Sequence, residues 1–431
     1  MDSNELGEKI PDLTSITAES LSDHVMGRNV DRVVYLVTEG IKDVNEIDTN
    51  GHNPLFCAVE SNQYFIARFL IEKGADVNLK HKNEYFTILI ASVFSRNVQL
   101  TALLLDHGAN IDDTDLCGET PLMWAVKDGM IDMATLLINR GANLEKLEPG
   151  SFMTALLLSI QHRQPDTALL LIDSGADVNI KNIAGTTPII WAASNGYYDV
   201  VERLIDAGAN MDFRQDSFGN TALMRAIEHD YTHVSQLLIE RGADLHIQNF
   251  QGATALIWAA GRGYIGLIRL LIEKGSDLDA EDDTKCTPLM CAVGRGFVNI
   301  VDVLIKAGAN INIRNTENCT ALTYAVQSNN GEIVDLLVNN VLSCLHDDID
   351  YGNRREHIHE FYNIHDVQTM LLRIRKWNLV DDLKYKTVAT KLSEIHNYVY
   401  RCNIYKILNR GKFLKADIIN DVVSFLGYRH C

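Results

Sequence analysis

A Gly followed by Ala or Ser recurs along this chain at Gly74, Gly108, Gly141, Gly175, Gly208, Gly242, Gly275 and Gly308. The intervals are 34, 33, 34, 33, 34, 33 and 33 residues. Self-similarity at a fixed period of this length constrains a fold more than any composition does. It describes a supersecondary unit that cannot bury its apolar face alone and must stack on copies of itself.

Each Gly closes a phrase such as LIEKGADVN (70–78), LIDSGADVN (171–179) or LIKAGANIN (304–312), and about 20 residues earlier stands a start such as TPLM (120 and 287), TPII (187), TALM (221) or TALI (254). Thr before Pro or Ala predicts a helix N-cap, with Pro at home in the first turn. Small Ala residues in TPLMWAVKDG let a neighbouring helix approach closely. MIDMATLLINR, with apolar residues at i, i+3, i+4 and i+7, predicts a second helix. The Gly then ends it in a left-handed conformation. Polar links such as NIAG, DSFG and NFQG lead to the next unit. Neither helix is long enough to be stable alone, so the stack supplies the stability.

A longer rhythm overlies this one. Trp124, Trp191 and Trp258 are spaced by 67 residues, in units that alternate with the 34-residue ones. The third and fifth units also carry Tyr85 and Phe152 where others have the turn Gly. The construction reads as a tandem copy of a two-repeat block. The three indoles have two readings, packing between helices or gripping a partner.

The period and both anchor phrases resemble the ankyrin repeat and its T-P-L-H-x-A opening. The resemblance covers about three quarters of the chain. It implies an all-α ankyrin-repeat solenoid of about ten helix-turn-helix units, followed by a small helical C-terminal domain. The boundaries expected are a polar N-terminal segment over 1–16, the array with a degenerate cap repeat over 17–340, a connector over 341–363 and a basic helical domain over 364–431. One departure is uniform: the family's His is replaced by Met123, Ile190, Met224, Ile257, Met290 and Thr323, so its hydrogen bonds are lost or replaced.

The resemblance also implies protein binding along the turn tips and inner helices. Carried onto this chain, the protein-binding positions are Leu116, Glu119, Lys127 and Asp128; Ile183, Thr186 and Asn195; Phe218, Asn220, Glu228 and His229; and Phe250, Gln251 and Arg262. Exposed aromatics such as Phe218 and Phe250 are common interface anchors. The alternative is that they fold onto the neighbouring turn.

Charge separates the body from the tail. The chain carries a net −18, yet residues 371–415 hold 11 Lys and Arg against 3 Asp and Glu. DVQTMLLRIRKW and VATKLSEIHNYVYRCNIYKIL read as amphipathic helices, the second with a stripe through Val388, Leu392, Ile395, Val399, Ile404 and Leu408. The last stretch, FLKADIINDVVSFLGY, is similar to the opening helix of an F-box and to the truncated F-box-like (PRANC) tails of poxviral and intracellular-bacterial ankyrin proteins. Leu414, Asp417, Ile418, Phe425 and Leu426 match, whereas Lys415 replaces the usual Pro and the later F-box helices are missing. The tail is thus either a cap on the array or a module that recruits a cullin-ligase adaptor.

Other chemistry is poorly represented. The eight Cys are scattered without a C-x-x-C pair, as expected of reduced thiols, and the acidic start is not a signal peptide. No run of about 18 apolar residues predicts a membrane span. His229 and His233 lack an HExxH frame, and the group His357, His359, Glu360 and His365 has no supporting ligand pattern. No P-loop or G-x-S-x-G motif occurs, so no metal, cofactor or catalytic residue is expected. Arg373, Arg375, Lys376, Lys384 and Lys386 raise nucleic acid as a ligand, which the acidic body disfavours.

The expectation is a non-enzymatic protein-protein interaction scaffold in the cytoplasm. Enrichment in Ile, Asn, Asp and Lys with little Pro suggests an AT-rich genome. That would make it a pathogen or viral effector in the host cell cytoplasm. The alternatives are a ubiquitin-ligase substrate receptor using the F-box-like helix and, more distantly, an enzyme that docks substrate on the array.

Overall fold

The structure, a computed structural model, describes residues 19–350 apart from 50, 80–85, 216 and 329, and for 341–350 the backbone path alone. The expected tail, with its F-box-like residues, lies outside the described residues, as does Tyr85. Among the described residues all regular structure is helical, in twenty helices. They fall in two compact units, one ending at Ser217 and one beginning at Phe218.

The first unit holds α1 (Leu21–Met26), α2 (Val30–Thr38), α3 (Pro54–Glu60), α4 (Tyr64–Glu72), α5 (Ile88–Phe94), α6 (Val98–Asp106), α7 (Pro121–Lys127), α8 (Ile131–Asn139), α9 (Ala155–Gln161), α10 (Pro165–Asp173), α11 (Pro188–Asn195) and α12 (Tyr198–Asp206). The second holds α13 (Ala222–Glu228), α14 (Thr232–Glu240), α15 (Ala255–Arg262), α16 (Ile265–Glu273), α17 (Pro288–Arg295), α18 (Val298–Ala307), α19 (Ala321–Gln327) and α20 (Gly331–Asp350). Within each unit the odd-numbered helices pack on odd-numbered neighbours and the even on even, giving two layers. Helix α20 runs ten residues past 340, where the sequence suggested a connector.

The phrases act as their chemistry predicts. Thr87, Thr120, Thr154, Thr221, Thr254, Thr287 and Thr320 each accept a hydrogen bond from the backbone N–H three residues on, at 3.2–3.4 Å. Thr187 is the exception, and its hydroxyl has no partner. Where the family's His is missing, Met123 Sδ and Thr323 Oγ1 accept from the N–H of the capping Thr instead. Ile190 and Ile257 have no atom that could do so. The eight phrase-ending glycines all take φ between +87° and +99°, which closes the second helix.

Close layering follows from small residues. Ala58, Ala125 and Ala192 in the first unit, and Ala226, Ala259, Ala292 and Ala325 in the second, are fully buried at one register of the odd helices. Leu70, Leu104, Leu137, Leu171, Leu204, Leu238, Leu271 and Leu304 form the matching apolar column of the even helices. Such a column contributes heavily, since removing one fully buried Leu side chain costs about 2–5 kcal/mol.

The polar end of each phrase fastens neighbouring repeats. Asn110 N–H donates to Asn78 Oδ1 at 2.9 Å, Asn143 N–H to Asp112 Oδ1 at 2.9 Å and Asn210 N–H to Asn179 Oδ1 at 2.8 Å; in the second unit Asn310 N–H donates to Asp279 Oδ1 at 2.8 Å. The two-repeat rhythm also has a backbone counterpart. After α7, α11 and α15 the left-handed residue is Gly129, Gly196 or Gly263, whereas after α5, α9 and α13 it is Arg96, Arg163 or Asp230 at φ between +55° and +65°. A non-Gly residue there costs of order 1 kcal/mol, borne by the surrounding stack.

Candidate protein-docking surface

The turns that precede the odd helices end in exposed tips. A four-residue reach closes each regular tip: Asp115 N–H donates to Glu119 O, Asn182 N–H to Thr186 O and Asn249 N–H to Ala253 O, at 3.0–3.2 Å. The Asp or Asn side chain accepts two further N–H groups inside the turn, as Asp115 Oδ1 does from Cys117 and Glu119 at 2.9 and 2.8 Å. The fifth repeat has one residue more. Glu148 N–H reaches Met153 O, and Phe152 adopts φ +56° where regular tips carry Gly. The extra residue thus coexists with a strained aromatic in place of the turn Gly.

Successive tips are joined by single backbone hydrogen bonds. Ile183 N–H donates to Ser151 O; in the second unit Phe250 N–H donates to Phe218 O, Asp283 N–H to Gln251 O and Thr316 N–H to Thr284 O, at 2.9–3.0 Å. Gly219 and Gly252 are required here. Both have positive φ, and a Cβ would fall 2.7 Å from the Phe250 ring or from Asp283 N respectively.

This geometry sorts the residues nominated from sequence. Leu116 is 74% exposed, Ile183 66%, Phe218 55% and Phe250 52%, so all four offer apolar surface at tips. Phe250 does both things the sequence allowed: it lies over Gly219 of the preceding turn and still exposes half its surface. Gln251, His229, Asp128 and Arg262 are exposed, and Lys127, Asn195 and Glu228 are half-buried. Glu119, Thr186 and Asn220 are buried beneath the tips. Thr186 Oγ1 accepts from Gln215 Nε2 at 3.2 Å, and Asn220 Oδ1 accepts from Asn249 Nδ2 at 2.8 Å. Asp128 pairs with Arg96 at 3.2 Å, Glu228 with Arg225 at 2.7 Å, and Asn195 Nδ2 donates to Trp191 O at 2.8 Å.

The three indoles are half-buried on the odd helices. Trp124 is boxed in. Its Nε1–H donates to Asp115 Oδ2 at 3.0 Å, Phe94 meets it edge-on at 4.9 Å between ring centroids, and Lys127 Nζ lies 4.5 Å from the ring centroid. Glu119 holds that ammonium at 2.8 and 2.9 Å. Sequence reasoning missed Phe94, at the Lys127 register one repeat earlier; its exposure of 39% and contact with Trp124 place it on the same face. Nearby His162 is held below its ordinary pKa, first by burial and then by the Lys127 charge.

Among the described residues no group of three His, Cys, Asp or Glu is placed to hold a metal ion, and no helix is long and apolar enough to cross a membrane. What the elements provide, in each unit, is a two-layered stack of helices with an apolar-tipped, aromatic-bearing edge. This defines the class: a helical-repeat interaction module.

The family model for ankyrin repeats matches residues 21–81, 78–148, 156–249, 189–282, 236–315 and 256–350, well over half of the chain. The chain belongs to the ankyrin repeat family. An ankyrin repeat protein of Rickettsia bellii is 35% identical over 134 residues, 29% of this chain and 38% of that one. An ankyrin repeat protein of fowlpox virus is 30% identical over 166 residues, 37% of this chain and 48% of its own. The mouse B-cell lymphoma 3 protein homolog is 33% identical over 181 residues, covering 40% and 39%. The crystal structure of the Bcl-3 ankyrin repeat domain aligns at a TM-score of 0.46 with 27% identity, covering 51% of this chain and 98% of that domain. The matches thus span less than half the length of these three curated relatives.

Proposed function

We propose that this protein is a non-enzymatic scaffold that binds partner proteins through its turn tips and odd-numbered helices. The observation that carries this reading is the set of exposed apolar side chains at tips, Leu116 and Ile183 in one unit and Phe218 and Phe250 in the other. Large apolar groups held out on rigid turns are the anchors a protein interface uses, and they have no folding role that requires such exposure. A cytoplasmic location follows from the same reading. Matches in a bacterium and a poxvirus support the narrower role of an effector acting on host proteins in the host cytoplasm.

A second reading is a ubiquitin-ligase substrate receptor, favoured by the F-box-like Leu414, Asp417, Ile418, Phe425 and Leu426 at the end of the chain. One experiment tests both. The full chain and a chain ending at Arg410 are compared as baits in quantitative pull-downs from eukaryotic lysate. The scaffold reading expects specific partners common to both baits and lost on L116D/I183D/F218D/F250D. The receptor reading expects cullin-ligase adaptor subunits with the full chain alone. Partners insensitive to the tip substitutions overturn the assignment of the surface.

A further inference from the structure

The site that follows rests on the protein-binding reading above and assigns the chemistry of one partner. Trp258 occupies in α15 the register that Trp124 occupies in α7, the fourth helical residue after the capping Thr. At the register of Lys127, α15 has Gly261 and α17 has Gly294. A Cβ at either glycine would meet nothing within 4 Å. The outward strip beside the Trp258 indole is therefore bare on two consecutive odd helices. Gly costs a helix more than almost any other residue. Two glycines at one register, with open space around each, break a local rule without a packing gain, which is the signature of a functional constraint.

The next register carries Arg262 and Arg295, both exposed. Arg262 lies 5.8 Å from the Trp258 ring centroid. Neither forms an ion pair among the described residues, where the second unit pairs Arg225 with Glu228 and Lys306 with Asp302. Beyond α17, α19 presents uncharged Gln327 and Ser328. Cys291, at the Trp258 register of α17, has its thiol pushed up to about 12, first by burial and then by Cys286, so it stays neutral at ordinary pH. The Trp258 Nε1–H has no hydrogen-bond partner, whereas that of Trp124 does. The face thus holds two guanidiniums outside any ion pair and one half-open indole whose Nε1 is itself buried; the acids alongside are Asp230, hydrogen-bonded to Tyr264, and Asp282, whose Oδ1 accepts from its own turn.

We propose that the α15–α17 face docks an acidic peptide segment of another protein. Its backbone lies along the Gly261–Gly294 strip, carboxylates engage Arg262 and Arg295, and an apolar side chain rests on Trp258. Adjacent packed helices are about 8–10 Å apart. A polyproline-II-like chain advances about 3.1 Å per residue and returns to the same face every third residue, so carboxylates three residues apart match the two guanidiniums. Arg accepts carboxylate in bidentate geometry. Nucleic acid fits less well: a polyanion is repelled at long range by the acidic body, and two cations neutralise few phosphates.

The test selects displayed random peptides on the full chain, then measures synthetic copies by fluorescence anisotropy. The expected winners are rich in Asp and Glu, and bind less tightly as ionic strength rises. Their affinity falls about tenfold or more in R262E/R295E and again in G261L/G294L, whose added side chains occupy the strip. R269E, on α16, leaves it unchanged. Circular dichroism checks the fold of each variant, and the glycine variants stand in if charge reversal unfolds the chain. Acidic peptides that bind both double variants undiminished overturn the proposal. So does a labelled single-stranded oligonucleotide that competes with the peptides and is lost in the same variants. Winners without acidic residues that bind saturably overturn it while leaving the scaffold reading intact. Recovery of no saturable peptide removes both.

Discussion

Trp124 in the first unit and Trp258 in the second share a residue type, a register and a surrounding phrase, yet they do different work. Around Trp124, Lys127, Glu119, Asp115 and Phe94 close a box. Around Trp258, Gly261 replaces the lysine and Asn249 replaces the aspartate. Asn249 Oδ1 still accepts the turn N–H groups of Gln251 and Ala253, but its Nδ2 is committed to Asn220. The indole keeps its place and loses its lid and its acceptor. A repeat's conserved phrase therefore fixes where an aromatic stands, while residues three or nine positions away decide whether it is part of the structure or available to a partner.

Truncating the two indoles should separate these roles most clearly. W124A loses edge-on aromatic packing, a hydrogen bond and a cation–π contact, and should cost about 3 kcal/mol, read from urea midpoints. W258A should cost about 1–2 kcal/mol. Equal losses would erase the contrast. The tip beside Trp258 should be less forgiving than the indole itself. G252V, with φ +73° and Asp283 N 2.7 Å from the added carbon, should cost about 2–3 kcal/mol. G275A, strained at φ +87° but with nothing within 4 Å, should cost about 1 kcal/mol.

The acceptor can be exchanged. D115N keeps the Oδ1 bonds inside the turn and removes the acceptor for the Trp124 indole, a loss of about 1 kcal/mol. N249D offers that acceptor to Trp258 but forfeits the buried Asn249 Nδ2–Asn220 Oδ1 bond, so it should shift indole emission without a net gain in stability. The smallest effect is a pH dependence near Trp124. Because His162 titrates below its ordinary value of 6.5 in the folded state, the unfolded state binds the proton first. Its contribution is intact above the unfolded value and is lost as pH falls through it. Wild type should therefore lose stability on acidification through that window more steeply than H162Q, in parallel denaturation series.

Much of this was legible in the chain itself. The left-handed glycines and the Thr caps are local signals: each depends on backbone sterics or on a hydrogen bond three residues away, and apart from Thr187 the structure uses them as read. Burial at the tips was not legible. Glu119 and Thr186 look like turn residues, but the helix that follows doubles back, so Glu119 meets Lys127 eight positions later. Asn220 is hidden by a side chain from the next repeat, 29 residues on. The difference between Trp124 and Trp258 was written in the sequence as Lys against Gly, but its meaning depends on which side of the helix faces outward.

From α5 to α15 left-handed Gly alternates with Arg or Asp after successive odd helices, and this sets the step in which that part of the array can change length. Neighbours are matched as unlike pairs, as when Arg96 of one repeat binds Asp128 of the next. Excising one repeat would bring like faces together and leave such partners stranded. Excising the 67 residues between Trp124 and Trp191 keeps the alternation of Gly and non-Gly turns, with Asn195 then standing where Asp128 did. Recombination in a gene encoding such a protein is therefore filtered at the level of folding, so that viable lengths differ by whole blocks of two, and binding faces are gained or lost two at a time.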